Sequence, residues 1–237
     1  MIEIKGLVKD YPKVRAVNGV EFNVEGNGVF ALLGLNGAGK TTLINMLATL
    51  TPPTSGTATV CGYDLTRDKE KIREIINISP QETAVMKRLT VKENLVTLAT
   101  LYGASDPESK AETLMQEFNL TEKKDEYAKN LSGGQQRRLS IALALVNDPK
   151  ILFLDEPTLG LDVKARRSLW AEVERLKKDR VIILTTHYLE EVESLADRAA
   201  IISRGEIKAI GTVSELISAA GADTLENAFL KLSEEEE

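Results

Sequence analysis

Three short segments carry side chains whose types and spacing suit the chemistry of a phosphate chain. Gly34-Leu35-Asn36-Gly37-Ala38-Gly39-Lys40-Thr41 follows the pattern Gly-x4-Gly-Lys-Ser/Thr. Glycines let a backbone wrap an anion with its N–H groups inward. Lys40 adds a mobile charge for β- and γ-phosphates, and the Thr41 hydroxyl suits Mg²⁺. Asp155 and Glu156 close the apolar run Ile151-Leu152-Phe153-Leu154. A strand-end aspartate can hold Mg²⁺ through water, and a neighbouring glutamate can take a proton from an attacking water. Before Pro157 the same pair also suits a solvated turn, but the phosphate pattern favours the chemical reading. His187, the only histidine, ends Val181-Ile182-Ile183-Leu184-Thr185-Thr186. Ligands of open parallel sheets bind at the carboxyl ends of strands, so His187 is a candidate γ-phosphate contact.

These segments need a scaffold that brings distant strand ends together. Residues 29–33, 151–154 and 181–184 are continuous apolar runs, as expected of strands buried on both faces. A helix is expected over 41–50, stopped by Pro52 and Pro53. Residues 2–8, 14–24, 57–60 and 75–78 read as shorter strands, and 66–74 as a charged helix. From about 91 to 146 helical spacing dominates, with Leu95, Leu98, Leu101 and Tyr102 on one face and Leu114, Met115 and Phe118 on another. Further helices are expected over 164–178 and 189–196, with a hairpin over 199–210 turning at Arg204-Gly205. Strands alternating with helices imply a mostly parallel sheet covered on both faces.

A fourth segment, Leu131-Ser132-Gly133-Gly134-Gln135, is a further candidate for phosphate binding. Small residues expose backbone N–H groups, and Ser132 adds a hydroxyl. Residues 136–146 read as the helix that follows this turn.

Together these motifs resemble, in order and over residues 2–211, the nucleotide-binding domain of ABC ATPases. The resemblance implies an α/β fold: a P-loop NTPase core with a mostly parallel sheet, an N-terminal antiparallel β subdomain and a helical subdomain. It divides one domain into a core with its β part (about 1–80 and 147–211), a helical part (about 82–146) and a C-terminal tail (about 212–237). It also implies ATP and Mg²⁺ as ligands. Gly34, Asn36, Gly37, Ala38, Gly39, Lys40, Thr41 and Thr42 would form the Walker A loop, and Asp155 would end Walker B. Glu156 would be the catalytic glutamate, and His187 the switch histidine. Gln81, after Ser79-Pro80, matches the glutamine that reaches Mg²⁺ and moves with a transmembrane partner. Ser132, Gly133, Gly134 and Gln135 match the signature that covers the ATP of a second subunit, and Asp162 the D-loop. Tyr11 matches the aromatic that stacks on adenine, although a tyrosine between two strands equally suits core packing. Leu35 stands where the family often has proline. The segment 224–232 resembles the ending of ABC-2 type exporter ATPases; it also reads as a terminal helix packing Leu225, Phe229 and Leu232.

Composition bounds the rest. The 237 residues carry a formal charge of −6, 43% apolar and 28% charged residues, without the basic excess of a nucleic-acid binder. Cys61 is the only cysteine, so no intrachain disulfide can form. The start of the chain lacks a signal-peptide layout, and its longest apolar runs fall short of a membrane span. The expected address is cytoplasmic; the resemblance places it on the inner face of the cell membrane through a separate permease of ABC-2 type, with a second nucleotide-binding subunit, by default another copy. The acidic run 234–237 is expected to fray. A guanine-specific Asn-Lys-x-Asp turn is absent from the sequence. The alternative reading is a non-transport ABC ATPase, or another P-loop NTPase, with no membrane partner.

Overall fold

The computed structural model describes residues 1–233; the acidic run at 234–237 lies outside them. Its centre is a six-stranded sheet. β3 (Gly28–Leu33), β6 (Ile76–Ser79), β7 (Ile151–Asp155), β8 (Val181–Thr186), β9 (Arg198–Ser203) and β10 (Glu206–Gly211) lie in the order β10-β9-β3-β8-β7-β6. All neighbours are parallel except the β9–β10 hairpin. That hairpin turns at Arg204 and Gly205, both at positive φ, as a tight two-residue turn requires. A second, antiparallel sheet has β1 (Ile2–Tyr11) and β2 (Val14–Val24) followed by β4 (Ser55–Val60) and β5 (Tyr63–Asp64), in the order β2-β1-β4-β5.

Side chains alternate across a strand, so the continuous apolar runs feed two cores. Ile151, Phe153, Val181 and Ile183 point toward α1 (Lys40–Leu47) and the antiparallel sheet, joining Leu43, Ile44, Leu47, Ile4 and Val20. Leu152, Leu154, Ile182 and Leu184 face the opposite way. There they meet α3 (Val91–Leu101), α4 (Pro107–Glu117), α5 (Gly133–Leu143) and α6 (Val163–Leu176). The helical stretch therefore shares one continuous apolar cluster with the sheet. Phe153 is fully buried, and truncating such a side chain costs roughly 3–5 kcal/mol. α2 (Lys69–Ile75) precedes β6, and α7 (Leu189–Leu195) follows β8. α8 (Val213–Ala219) and α9 (Leu225–Ser233) close the described chain, with Leu225, Phe229 and Leu232 packed on the sheet as the sequence suggests.

Two expectations need correction. Leu101 and Tyr102 are exposed; the buried stripe of α3 is Val91, Asn94, Leu95 and Ala99. Leu101 lies seven residues beyond the buried Asn94, on nearly the same side of the helix, but it is the last residue of α3, beyond the end of the buried stripe. The second is the start of α5. Gly133, Gly134 and Gln135 form its first turn rather than a turn ahead of it. A reciprocal cap makes this possible: Gln135 N donates to Ser132 Oγ at 3.3 Å, and Ser132 N donates to Gln135 Oε1 at 2.9 Å.

Glu172 of α6 is a buried carboxylate facing the helical stretch, with Arg138 Nε of α5 3.4 Å away. Burial pushes its pKa up to about 7, against the opposing pull of Arg138 and Arg175. The folded state therefore holds this proton more tightly than the unfolded chain. The associated stability is complete below the ordinary carboxyl value and is lost as pH rises toward 7. Glu172→Gln should raise the urea midpoint at pH 8 and change it little at pH 4.5; denaturation curves at both pH values check this.

Candidate active site

The phosphate-type loop joins β3 to α1, and packing sets its glycines. Gly39 has φ 103° and ψ 0°, and a Cβ there would lie 2.3 Å from the Ala16 carbonyl oxygen. A Cβ on Gly34 would lie 2.4 Å from the Ile202 carbonyl oxygen. The loop is braced from outside: Gly205 N donates to Ala38 O at 2.9 Å, and Asn18 N donates to Gly205 O at 2.8 Å. Lys40 begins α1 and is only 4% exposed. Its ammonium folds back on the loop, donating to Gly34 O at 2.7 Å and Leu35 O at 3.1 Å, and lies 3.2 Å from Glu156 Oε1. The first N–H groups of an α-helix have no intrahelical partners, so the start of α1 favours an anion. Leu35 itself is exposed, so the proline position of the family needs no packing partner here.

Parallel register carries the other groups to the same edge. Leu33 pairs with Thr186, and Asp155 pairs with Thr185. Asp155 is buried, and its Oδ1 accepts from Thr41 Oγ1 at 3.1 Å and from Thr185 Oγ1. Glu156 is also buried and has φ 45°, a left-handed conformation that costs a non-glycine residue on the order of 1–3 kcal/mol. Its N–H is shared between Thr185 O at 3.2 Å and Thr185 Oγ1 at 2.9 Å. His187 Nδ1 lies 3.1 Å from Glu156 Oε2, close but not aligned for a hydrogen bond. The glutamate thus stands between the ammonium of Lys40 and the imidazole of His187.

A cavity of about 470 Å³ opens on this cluster. Asn36, Gly37, Ala38, Gly39, Lys40, Thr41, Thr42, Gln81, Glu156 and His187 line it, with Val14, Ala16 and Leu159. A larger cleft of about 630 Å³, around Glu74, Tyr102, Lys110 and Asp148, contains none of these groups. Tyr11 ends β1 at the β1–β2 turn, 42% exposed and outside the lining; its exposure removes the core-packing reading. Ser132 and Gly133 are exposed at the start of α5, away from the cavity, with Gly134 and Gln135 half-buried beside them. Gly133 instead borders a neighbouring hollow of about 400 Å³ that shares Gln81 and Leu159. Asp162 caps α6, accepting from Ala165 N at 2.8 Å.

Two side chains of the site have no counterpart in the motifs. Arg137 of α5 is buried and donates to the carbonyls of Pro80, at 2.7 Å, and Gln81. Burial holds its guanidinium below the usual arginine range, while the charge of Asp155 opposes that shift. Asn94 of α3 is fully buried, accepts from Met86 N at 2.8 Å and donates to Thr90 O at 2.8 Å, fixing the far end of the same loop. The Thr-Thr ending of the β8 run was the one sequence hint of a third such residue, Thr185.

The chain as a whole is similar to known proteins. A family model for ABC transporters matches residues 17–159. The daunorubicin/doxorubicin resistance ATP-binding protein DrrA of Streptomyces peucetius is 44% identical over 227 residues, 94% of this chain and 69% of that protein. The linearmycin resistance ATP-binding protein LnrL of Bacillus subtilis (strain 168) is 40% identical over 228 residues, 95% of this chain and 73% of the relative. A solved structure of the ATP-binding subunit of an ABC transporter superposes with a TM-score of 0.88 at 30% identity, covering 99% of this chain and 100% of the other. Loop, strand-end carboxylates, fold and relatives lead to one assignment: the chain belongs to the ABC transporter family, as one of its ATP-binding, ATP-hydrolysing cassettes.

Proposed function

We propose that this cassette powers export through a separate permease of ABC-2 type, on the inner face of the cell membrane, by closing and opening as a dimer. The observation that carries the ATPase half is the convergence of Lys40, Asp155, Glu156 and His187 on one cavity edge. Export is supported by two relatives named for drug resistance. Among the described residues no helix is long and apolar enough to cross a membrane, so the reading assigns translocation to another chain.

In this reading the N–H groups of residues 36–41 cradle the phosphates of ATP. Lys40 exchanges its two loop carbonyls and Glu156 for β- and γ-phosphate oxygens. Thr41 and Asp155 offer hard oxygen ligands joined by a 3.1 Å hydrogen bond, a donor set that suits Mg²⁺ brought in with the nucleotide. Gln81, whose backbone oxygen is held by Arg137, adds a side-chain oxygen from the cavity rim. Bound Mg²⁺ neutralises charge developing on the phosphate oxygens. Glu156, released by Lys40, accepts a proton from water as the water oxygen attacks the γ-phosphorus and the bond to ADP breaks. His187 holds the γ-phosphate in line. Tyr11, exposed at the β1–β2 turn and paired with the lining residue Val14, would meet the adenine. Ser132, Gly133, Gly134 and Gln135 lie outside their own chain's cavity, which fits a role over the ATP of a second copy. Two equivalent sites then follow from a two-fold dimer. Asp162 would lie at the same subunit boundary.

Three outcomes test these assignments. Glu156→Gln with ATP and Mg²⁺ should lose turnover by about 100-fold or more while ATP-bound dimer accumulates on size exclusion. Undiminished turnover would remove Glu156 from the mechanism. Lys40→Ala and Ser132→Arg should each be inactive alone. Mixed together, they should recover roughly a quarter of wild-type turnover, because half of randomly assorted dimers keep one whole site. Mixtures as inactive as either parent count against head-to-tail sites. Co-purification of the chain with a multi-span ABC-2 type membrane protein checks the permease; recovery without any membrane partner counts against transport.

A further inference from the structure

Thr185 lies in no motif assigned so far, yet its hydroxyl touches both members of the strand-end carboxylate pair. Glu156 N reaches Thr185 Oγ1 at 2.9 Å, and Asp155 Oδ1 lies 2.5 Å from the same oxygen. A backbone N–H can only donate, so the hydroxyl accepts from Glu156. Its single proton is then committed to Asp155. The directions of both bonds are fixed by chemistry alone. Thr185 is fully buried in β8, directly opposite Asp155 in parallel register. No solvent can substitute for either bond.

These two bonds do different things. The one to Asp155 orients the carboxylate together with the hydroxyl of Thr41. Thr41 stands in the first turn of α1, where a nucleotide and its metal would engage its hydroxyl, whereas Thr185 belongs to the sheet. Asp155 therefore keeps one donor that does not depend on what Thr41 is doing. The second bond, shared with the Thr185 carbonyl at 3.2 Å, helps hold Glu156 at φ 45°, a conformation unusual for a glutamate. We infer that Thr185 is a positioning residue for hydrolysis, one hydroxyl that aims Asp155 at the metal and sets the backbone of Glu156 toward the water. This rests on the roles proposed above for Asp155 and Glu156.

The test uses the full chain with Thr185→Val, Thr185→Ser and, in parallel, Glu156→Gln. Steady-state turnover is measured across a Mg²⁺ titration, and binding of a fluorescent ATP analogue is measured in EDTA and in Mg²⁺. Residues that orient a metal ligand typically contribute 10- to 100-fold, so Thr185→Val should lower kcat by about that factor. It should also raise the Mg²⁺ concentration for half-maximal turnover and weaken the Mg²⁺-dependent gain in analogue binding. Binding in EDTA should stay at the wild-type level, because the loop of residues 34–41 is untouched. Thr185→Ser, which keeps the hydroxyl, should restore both kcat and the Mg²⁺ curve. Wild-type kcat and Mg²⁺ dependence in Thr185→Val would overturn the inference. So would Thr185→Ser as defective as Thr185→Val in protein that melts normally, since the defect would then be one of packing. Should Thr185→Val melt below the assay temperature, Thr185→Ala against Thr185→Ser is read in the same way. Glu156→Gln separates the two levels: its full turnover would fail the reading of Glu156, whereas its collapse beside a normal Thr185→Val would fail Thr185 alone.

Discussion

The parallel register of β3, β8 and β7 is the constraint on which the rest of this molecule depends. Leu33, Thr186 and Asp155 end three adjacent strands within one residue of the same level. The segments that leave those ends, 34–39, 187–188 and 156–162, therefore begin within reach of one another, though they are far apart in sequence. A slip of one residue in any strand would turn its side chains to the opposite face. Phe153 and Leu154 would exchange cores, and Asp155 would leave the edge. Burial of the two apolar faces thus fixes the catalytic geometry as a by-product of stability.

Charge inside the cavity follows a different logic. Lys40 and Glu156 are a buried pair, and burying two charges usually costs about as much as their attraction returns. Two carbonyls of its own loop complete the solvation of the lysine. The arrangement makes little sense as a stabilising bridge, but it keeps two reactive groups desolvated and ordered. The nearby strain at Glu156 has the same character, being supported by Thr185 rather than by the preference of the residue.

Much of this could be read from the sequence because it is written locally. The apolar runs of β3, β7 and β8, the turn at 34–41, and the carboxylates at 155–156 each lie within a few consecutive residues. The start of α5 is hidden in the sequence because two glycines are poor helix formers; the Ser132–Gln135 cap overrides their propensity. Leu101 is apolar and shares the side of α3 that buries Asn94; the point at which the helix ends, just after Leu101, leaves it exposed. Arg137 carries no local pattern, and Thr185 only its place in the Thr-Thr ending of an apolar run. Their partners lie 56, 57 and 30 residues away, and only the folded chain brings them together.

Arg137 has a wider consequence. It stands one turn into the helix whose first residues are Gly133 and Gly134, and its guanidinium grips the two carbonyls that precede and carry Gln81. Being forked and planar, that grip resists twisting as well as stretching. The helix and the loop are thus rigidly strutted: a tilt of one drags the other. In the dimer proposed above, a contact at Ser132 would bear on the helix that Arg137 ties to the rim of this chain's own cavity. Mechanical signalling between two such cavities would need no long wire through the core, only a lever about one helical turn in length.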